Sequence, residues 1–405
     1  MARIVFYGGK VFDGTMAPIA DADLVIEDGR IVEVGPSLDG DEGVDCTGAT
    51  LLPGLFDCHT HVMFSTLDWV EELVRPFSFM FYDAERNLAK TLATGITTVR
   101  DASGADAGVR KAVDEGLIPG PRMQISVTML SQTGGHADGL LRSGVNLEVG
   151  WPGMPSGIVD GPDAVRRKVR EMIRAGADVI KVATSGGVLS PDDDPRHPHF
   201  RPDELEEMVA EAAAAGIWVM AHAQGAEGIK NAVRAGVRSI DHGIYLDDEG
   251  IELMLERGTW LVPTLVAPRG VLEAADAGVS IPASSVEKAR GVIEAHRDAV
   301  RRAIEAGVRV AMGTDSPVAA HGANLRELAQ MVECGMDLQA SLVATTSSAA
   351  ELLGLDDELG TLHPGTCADL VVLDGDALEV ATLRERVRQV WKDGVLVAEN
   401  GKVLR

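Results

Sequence analysis

Cysteine is scarce. Cys46, Cys58, Cys334 and Cys367 are scattered through 405 residues with no Cys-x-x-Cys pair. That excludes a disulfide framework and fits a reduced, cytoplasmic protein. Positive charge is also short: 37 Lys and Arg face 62 Asp and Glu, a formal net charge of -25. Such a balance argues against nucleic acid and against an anionic membrane surface, and a solvated acidic exterior accounts for it. No run of about 18 apolar residues occurs, so no membrane span is expected. The opening residues, Met1 to Tyr7, read as too short and too quickly polar for a signal peptide.

What is present is a 45% hydrophobic content, ample for a core, and 45 glycines, which suit many short connections. A chain of this length fits one large α/β domain with an accessory one. Both ends read as β. Segments 4–7, 24–27, 31–34 and 50–52 are separated by turn signals such as Asp28-Gly29, and 369–373, 387–392 and 394–398 alternate in the same manner around Asp393-Gly394. Together they predict one β-sandwich assembled from residues 1–53 and 356–405. Residues 54–355 have another rhythm. Strand-like segments at 51–57, 96–101, 122–128, 178–183, 217–222, 237–242, 259–265 and 308–314 alternate with helical stretches. The helices are expected at 66–93, 162–175, 202–215, 226–235, 248–257, 284–306 and 324–334, several closing on Gly. Eight strands with helices between them predict an α/β fold of the (β/α)8 TIM-type barrel class, in which chemistry sits at the C-terminal strand ends.

The polar residues fall at those ends. His59 and His61 follow the first strand in Leu52-Pro53-Gly54-Leu55-Phe56-Asp57-Cys58-His59-Thr60-His61, and i, i+2 spacing in a strand sends both imidazoles to one face. His222 ends the fifth strand, His242 the sixth and Asp315 the eighth. Taken singly, His59 and His61 read as surface histidines at a strand end, His222 and His242 as core histidines bonded to backbone carbonyls, and Asp315 as a cap for the segment that follows. Lys181 is different, because an apolar strand buries it and Lys is almost never fully buried without a partner. Burial depresses its pKa, which leaves a nucleophilic amine able to form a Schiff base or a carbamate with carbon dioxide. Beside four histidines and an aspartate the carbamate fits better, since it can bridge two cations. Two such metals would activate one water and polarise a carbonyl, with Asp315 carrying the proton to the leaving amine.

In this order the HxH pair, Lys181, His222, His242 and Gly313-Thr314-Asp315 resemble the amidohydrolase superfamily over essentially the whole chain. The resemblance implies two divalent metal ions, usually zinc, with His59, His61 and Asp315 on one, His222 and His242 on the other, and carboxylated Lys181 bridging. Within the superfamily the chain is most similar to prolidase-like, metal-dependent carboxypeptidases, through Gln132-Thr133-Gly134-Gly135-His136-Ala137-Asp138, residues 184–191 and His321-Gly322-Ala323-Asn324. By that likeness His136 grips the substrate carbonyl or carboxylate, and His321 is the second candidate. Gln224 stands where many such peptidases carry Tyr or His, which opens the substrate class to anilides, carbamates or other N-acyl compounds. Tyr245 is a possible compensating contact, with packing an equal alternative. Arg100 and Asp101 are expected to form a structural ion pair near the site. A deaminase of the same architecture would place Glu soon after the fifth-strand histidine, where this chain has Ala223-Gln224-Gly225-Ala226. A lactonase would keep the lysine, and a non-catalytic scaffold would have shed several ligands. The expected partners are a small-molecule amide or dipeptide and further copies of the chain as a homo-oligomer, with no nucleic acid and no membrane.

Overall fold

The computed structural model describes residues 2–148, 150–190 and 192–404. Pro191, within the stretch 184–191, lies outside the described residues, as do Met1 and Arg405 at the ends of the expected β domain. Two sheets form from the ends of the chain. One runs in the order Arg30–Gly35, Asp23–Glu27, Ile4–Tyr7, Glu42–Asp45. The other mixes both ends, and its centre is Ala49–Pro53 paired antiparallel to Leu370–Asp374. Alternation turns Phe6, Leu24, Ile26, Leu51, Leu370 and Trp391 into one apolar layer, with Phe6 edge-on to Trp391 at 5.1 Å. The hairpin turns at Asp28-Gly29 and Asp393-Gly394 take positive φ at both positions, as a type I′ turn requires. They also abut: a Cβ on Gly394 would lie 2.8 Å from the Gly29 Cα.

Between the ends the strands are parallel. Arg122–Ile125, Ile96–Asp101 and Leu55–Thr60 make one sheet. Met129–Leu130, Val179–Ala183, Trp218–Ala223, Ser239–His242 and Trp260–Val262 make another. Residues 308–316 bridge the two, through Leu261 to Val310 and Thr60 to Ser316. On the opposite side the Asp178 N–H donates to the Ile125 carbonyl at 2.8 Å. These strands are near-continuously apolar because helices such as Pro162–Arg174, Pro202–Ala214 and Ala226–Ala235 cover their outer faces. Among the described residues no helix is long and apolar enough to cross a membrane.

Several elements depart from the sequence expectation. The strand expected at 51–57 is two strands, because the chain changes sheets at Gly54, where a Cβ would meet the Thr97 hydroxyl at 2.2 Å. The helix expected over 66–93 is Trp69–Val74 and Phe79–Leu92, since Pro76 forces Arg75 into an extended conformation. The third strand breaks at Val127, whose φ is +66°. The eighth strand, expected at 308–314, keeps hydrogen bonds on both sides but is regular only at Val310. It passes too close for a pleated strand: a Cβ on Gly313 would sit 2.4 Å from Val262 and 3.0 Å from the His59 Cβ. Helices Ala107–Asp114, Val266–Asp276, Leu338–Ala344 and Ser347–Leu353 were not anticipated.

Candidate metal centre and active site

Strand alternation sends His59 and His61 the same way, and residues 313–315 fold over them. The Asp315 carboxylate lies 3.3 Å from His59 Nε2 and 3.1 Å from His61 Nε2, and the three groups offer ligand atoms within 4.8 Å of one another. The far nitrogens are tethered. His59 Nδ1 lies 2.8 Å from Asp241, His61 Nδ1 2.9 Å from the Ser103 carbonyl, and His242 Nδ1 2.7 Å from the Thr264 hydroxyl. An imidazole tethered at one nitrogen, with the other turned toward the site, is the arrangement of a metal-bound histidine. Two such imidazoles with one carboxylate suit a zinc-like divalent cation. Burial alone would push the Asp315 carboxyl up, but the His59 and His61 imidazoles hold it well below its usual range.

The remaining candidates stand beside this group. His242 has φ +75°, so the turn at its strand end swings its ring to 5.0 Å from that of His59, and His222 lies 4.6 Å further on. Both are buried, which drives each imidazole well below its ordinary pKa and keeps it neutral, the form that binds metal. His222 donates from Nε2 to the Gly186 carbonyl at 3.2 Å, leaving Nδ1 for the centre. Lys181, 1% exposed, donates to Asp241 at 3.1 Å. Burial pushes its ammonium below the usual lysine range, with the Asp241 carboxylate opposing.

His136 stacks on His222 at 4.1 Å with planes 17° apart. Its Nδ1 is 2.7 Å from the Ser190 hydroxyl and 3.6 Å from Asp193. Gln224 is buried with its Oε1 unpartnered, while its backbone N–H donates to the Ser185 hydroxyl. His321 donates from Nε2 to the Phe64 carbonyl at 3.1 Å, and burial lowers it to about 4. Its Nδ1 is buried without a partner. Tyr245 packs against the buried cluster that contains Val188, Ile244 and Val271. Arg100 and Asp101 do not form the expected ion pair. Arg100 donates to the Cys58 carbonyl at 2.7 Å and to Asp241 at 3.4 Å, whereas Asp101 accepts the N–H groups of Val62 and Ala105. They are consecutive in a strand and therefore leave on opposite faces.

Residues 50–402 match the model of the amidohydrolase family. The chain belongs to that family. It is a hydrolase of the kind that acts on amide bonds. Ochratoxinase from Aspergillus niger is 36% identical, across 97% of this chain and 86% of the relative. The crystal structure of a prolidase complexed with N-methylphosphonate-L-proline superposes with a TM-score of 0.90 at 36% identity, across 98% of this chain and 100% of that one. That of a Xaa-Pro dipeptidase with methionine in its active site gives 0.88 at 33% identity, across 97% and 99%.

Sequence reasoning missed two carboxylates of this amidohydrolase. Asp241 accepts from His59, Lys181, Arg100 and Ser239. Burial opposes its charge, yet Lys181 and Arg100 hold it far below the usual range. Asp57 accepts the His59 and Thr314 N–H groups, the Thr314 hydroxyl and the Asn324 amide, so it clamps the first strand to the segment carrying Asp315. A signal existed in both cases, an acid one or two residues from a candidate histidine. Alternation, however, argued against Asp241, and only the turn at His242 brings the two together.

Proposed function

We propose that this protein is a hydrolase dependent on two divalent metal ions, zinc by preference, that cleaves the C–N amide bond of a dipeptide or N-acyl amino acid. The observation that carries the proposal is the gathering of His59, His61 and Asp315 within 4.8 Å, with the His242 and His222 rings next in line, Lys181 bonded to the Asp241 that also holds His59, and His136 stacked on His222. The prolidase and dipeptidase relatives support the substrate class. We take the parallel strands as one eight-stranded barrel spanning residues 54–355, with 1–53 and 356–405 as a composite β domain.

In this reading His59, His61 and Asp315 would hold one ion and His222 and His242 the second, with Lys181, as its carbamate, serving both. Bound there, the ions supply the charge that makes water a nucleophile at neutral pH and polarises the scissile carbonyl. Lys181 suits its part because burial favours the neutral amine, which adds to carbon dioxide with release of one proton. Asp315 takes the proton of the attacking water and returns it to the departing amine nitrogen. His136 receives the substrate carbonyl or carboxylate, with its other nitrogen fixed by Ser190. The unpartnered Gln224 Oε1 is satisfied by an N–H of the substrate. His321 and Tyr245 serve as outer contacts.

An aryl amide is the second reading, favoured by one feature. The Phe64 ring lies 6.3 Å from His61 and Trp69 lies 5.9 Å beyond it, an aromatic wall leading from the centre to the surface. Ochratoxinase is consistent with it. The test is a panel of dipeptides, N-acyl amino acids and aryl amides offered to zinc-loaded protein, with release of free amine as the readout. Turnover concentrated in the first two groups is expected. Turnover of aryl amides alone would select the second reading, and cleavage of none would defeat both.

A further inference from the structure

Lys288, on the helix Ala283–Ala306, reaches across to the segment that borders His136. Its ammonium lies 3.1 Å from the Gly187 carbonyl, 2.7 Å from that of Ser190, 2.5 Å from that of Asp193 and 3.4 Å from the Asp193 carboxylate. Three carbonyls aimed at one point repel one another unless a cation sits among them, so Gly187, Ser190 and Asp193 are gathered around an ammonium as other carbonyls gather around a metal ion. The same residues make the seat of His136. Gly187 is its floor, where a Cβ would lie 2.1 Å from the ring. Ser190 meets its Nδ1 and is in turn bonded to Asp193. Asp193 also accepts the Gly187 N–H, which closes the turn on itself.

We propose that Lys288 is a positioning residue: it is the internal cation that gathers Gly187, Ser190 and Asp193 and so orients His136 over the site. The kinetic part rests on the amide-hydrolase reading above, whereas the structural part does not. The Lys288 ammonium bonds to Gly187, Ser190 and Asp193, none of them a candidate metal ligand, so its loss is expected to act on the substrate contact rather than on the metals.

The test compares Lys288→Ala, Lys288→Met, His136→Ala and the Lys288→Ala/His136→Ala double variant, all zinc-loaded. Lys288→Ala should raise KM about tenfold or more, with kcat changed less than about threefold and metal content unaltered. Added methylammonium should restore KM in Lys288→Ala, where space for it exists, and not in Lys288→Met. The double variant should be no worse than His136→Ala, because two residues acting through one contact are not additive. Ser190→Ala, which leaves the cation and its carbonyls in place, should show the same KM signature more weakly and guards against a folding defect. Additive losses, an unchanged KM, or a loss confined to kcat would overturn the proposal. Independently of turnover, the His136 Nδ1–H signal, assigned by its disappearance in His136→Ala, should move or vanish in Lys288→Met. An unchanged signal defeats the positioning role even if no amide is cleaved, and a moved signal supports it whatever the substrate proves to be.

Discussion

At Asp241 an imidazole, an amine, a guanidinium and a hydroxyl share one buried carboxylate, so Lys181 and Arg100 meet their counter-charge within a single cluster. Lys181, in this cluster, and Asp315, on the far side of His59, have separable roles. Lys181→Ala removes the group proposed to bridge, and the protein should purify with about one metal equivalent where the parent has two, as read by elemental analysis. Unchanged content would speak against a bridging carbamate. Asp315→Asn keeps an oxygen ligand and loses the proton acceptor. It should retain metal while turnover falls by about 10²-fold or more, the usual scale for a positioned acid–base group. Substantial residual turnover would move the proton transfer to another residue.

Elements reach the site through their ends. Glu327, on Arg326–Glu333, accepts the N–H groups of Leu265 and Val266 and so caps the helix Val266–Asp276. The residue just before that cap, Thr264, holds His242. Burial pushes the Glu327 carboxyl up to about 8. Its folded pKa therefore exceeds its unfolded one, and the folded chain keeps a proton that the unfolded chain has released. This contribution to stability is complete below the unfolded value of about 4.5 and is lost as pH rises through about 8. The melting temperature of the parent minus that of Glu327→Gln should accordingly decline between pH 5 and pH 8.5, by thermal unfolding at about four pH values. A flat difference would mean that Glu327 is ionised throughout.

Across the whole molecule the β layer built from both ends closes on Trp391, buried against Phe6 and within a cluster that includes Leu24 and Leu370. Trp391→Ala leaves a large void between sheets contributed by chain segments more than 300 residues apart, and should cost about 3–5 kcal/mol in urea unfolding. A cost under about 1 kcal/mol would show that the two sheets do not depend on each other. Much of the candidate site could be read from strand ends alone. His59, His61, His222 and His242 stand at the ends of regular parallel strands, where apolar runs of strand length announce themselves. The eighth segment was legible by its apolar run but not by its conformation, because its irregularity comes from passing beside His59. The Ser190, Asp193 and Lys288 support of His136 was not legible, since Lys288 lies about 100 residues from the turn it holds.

By itself the sequence determined the order of ligand-type residues, the alternation of strands and helices, and the turns whose Gly and Asp need positive φ. Those properties are local, set by backbone sterics and by the spacing of apolar side chains. Only the tertiary structure decided which nitrogen of each histidine is tethered, that Arg100 serves Asp241 rather than Asp101, and that a distant ammonium organises the turn beneath His136. Such choices depend on distances between residues far apart in the chain, and a strand's period says which face a side chain leaves from but not what waits there.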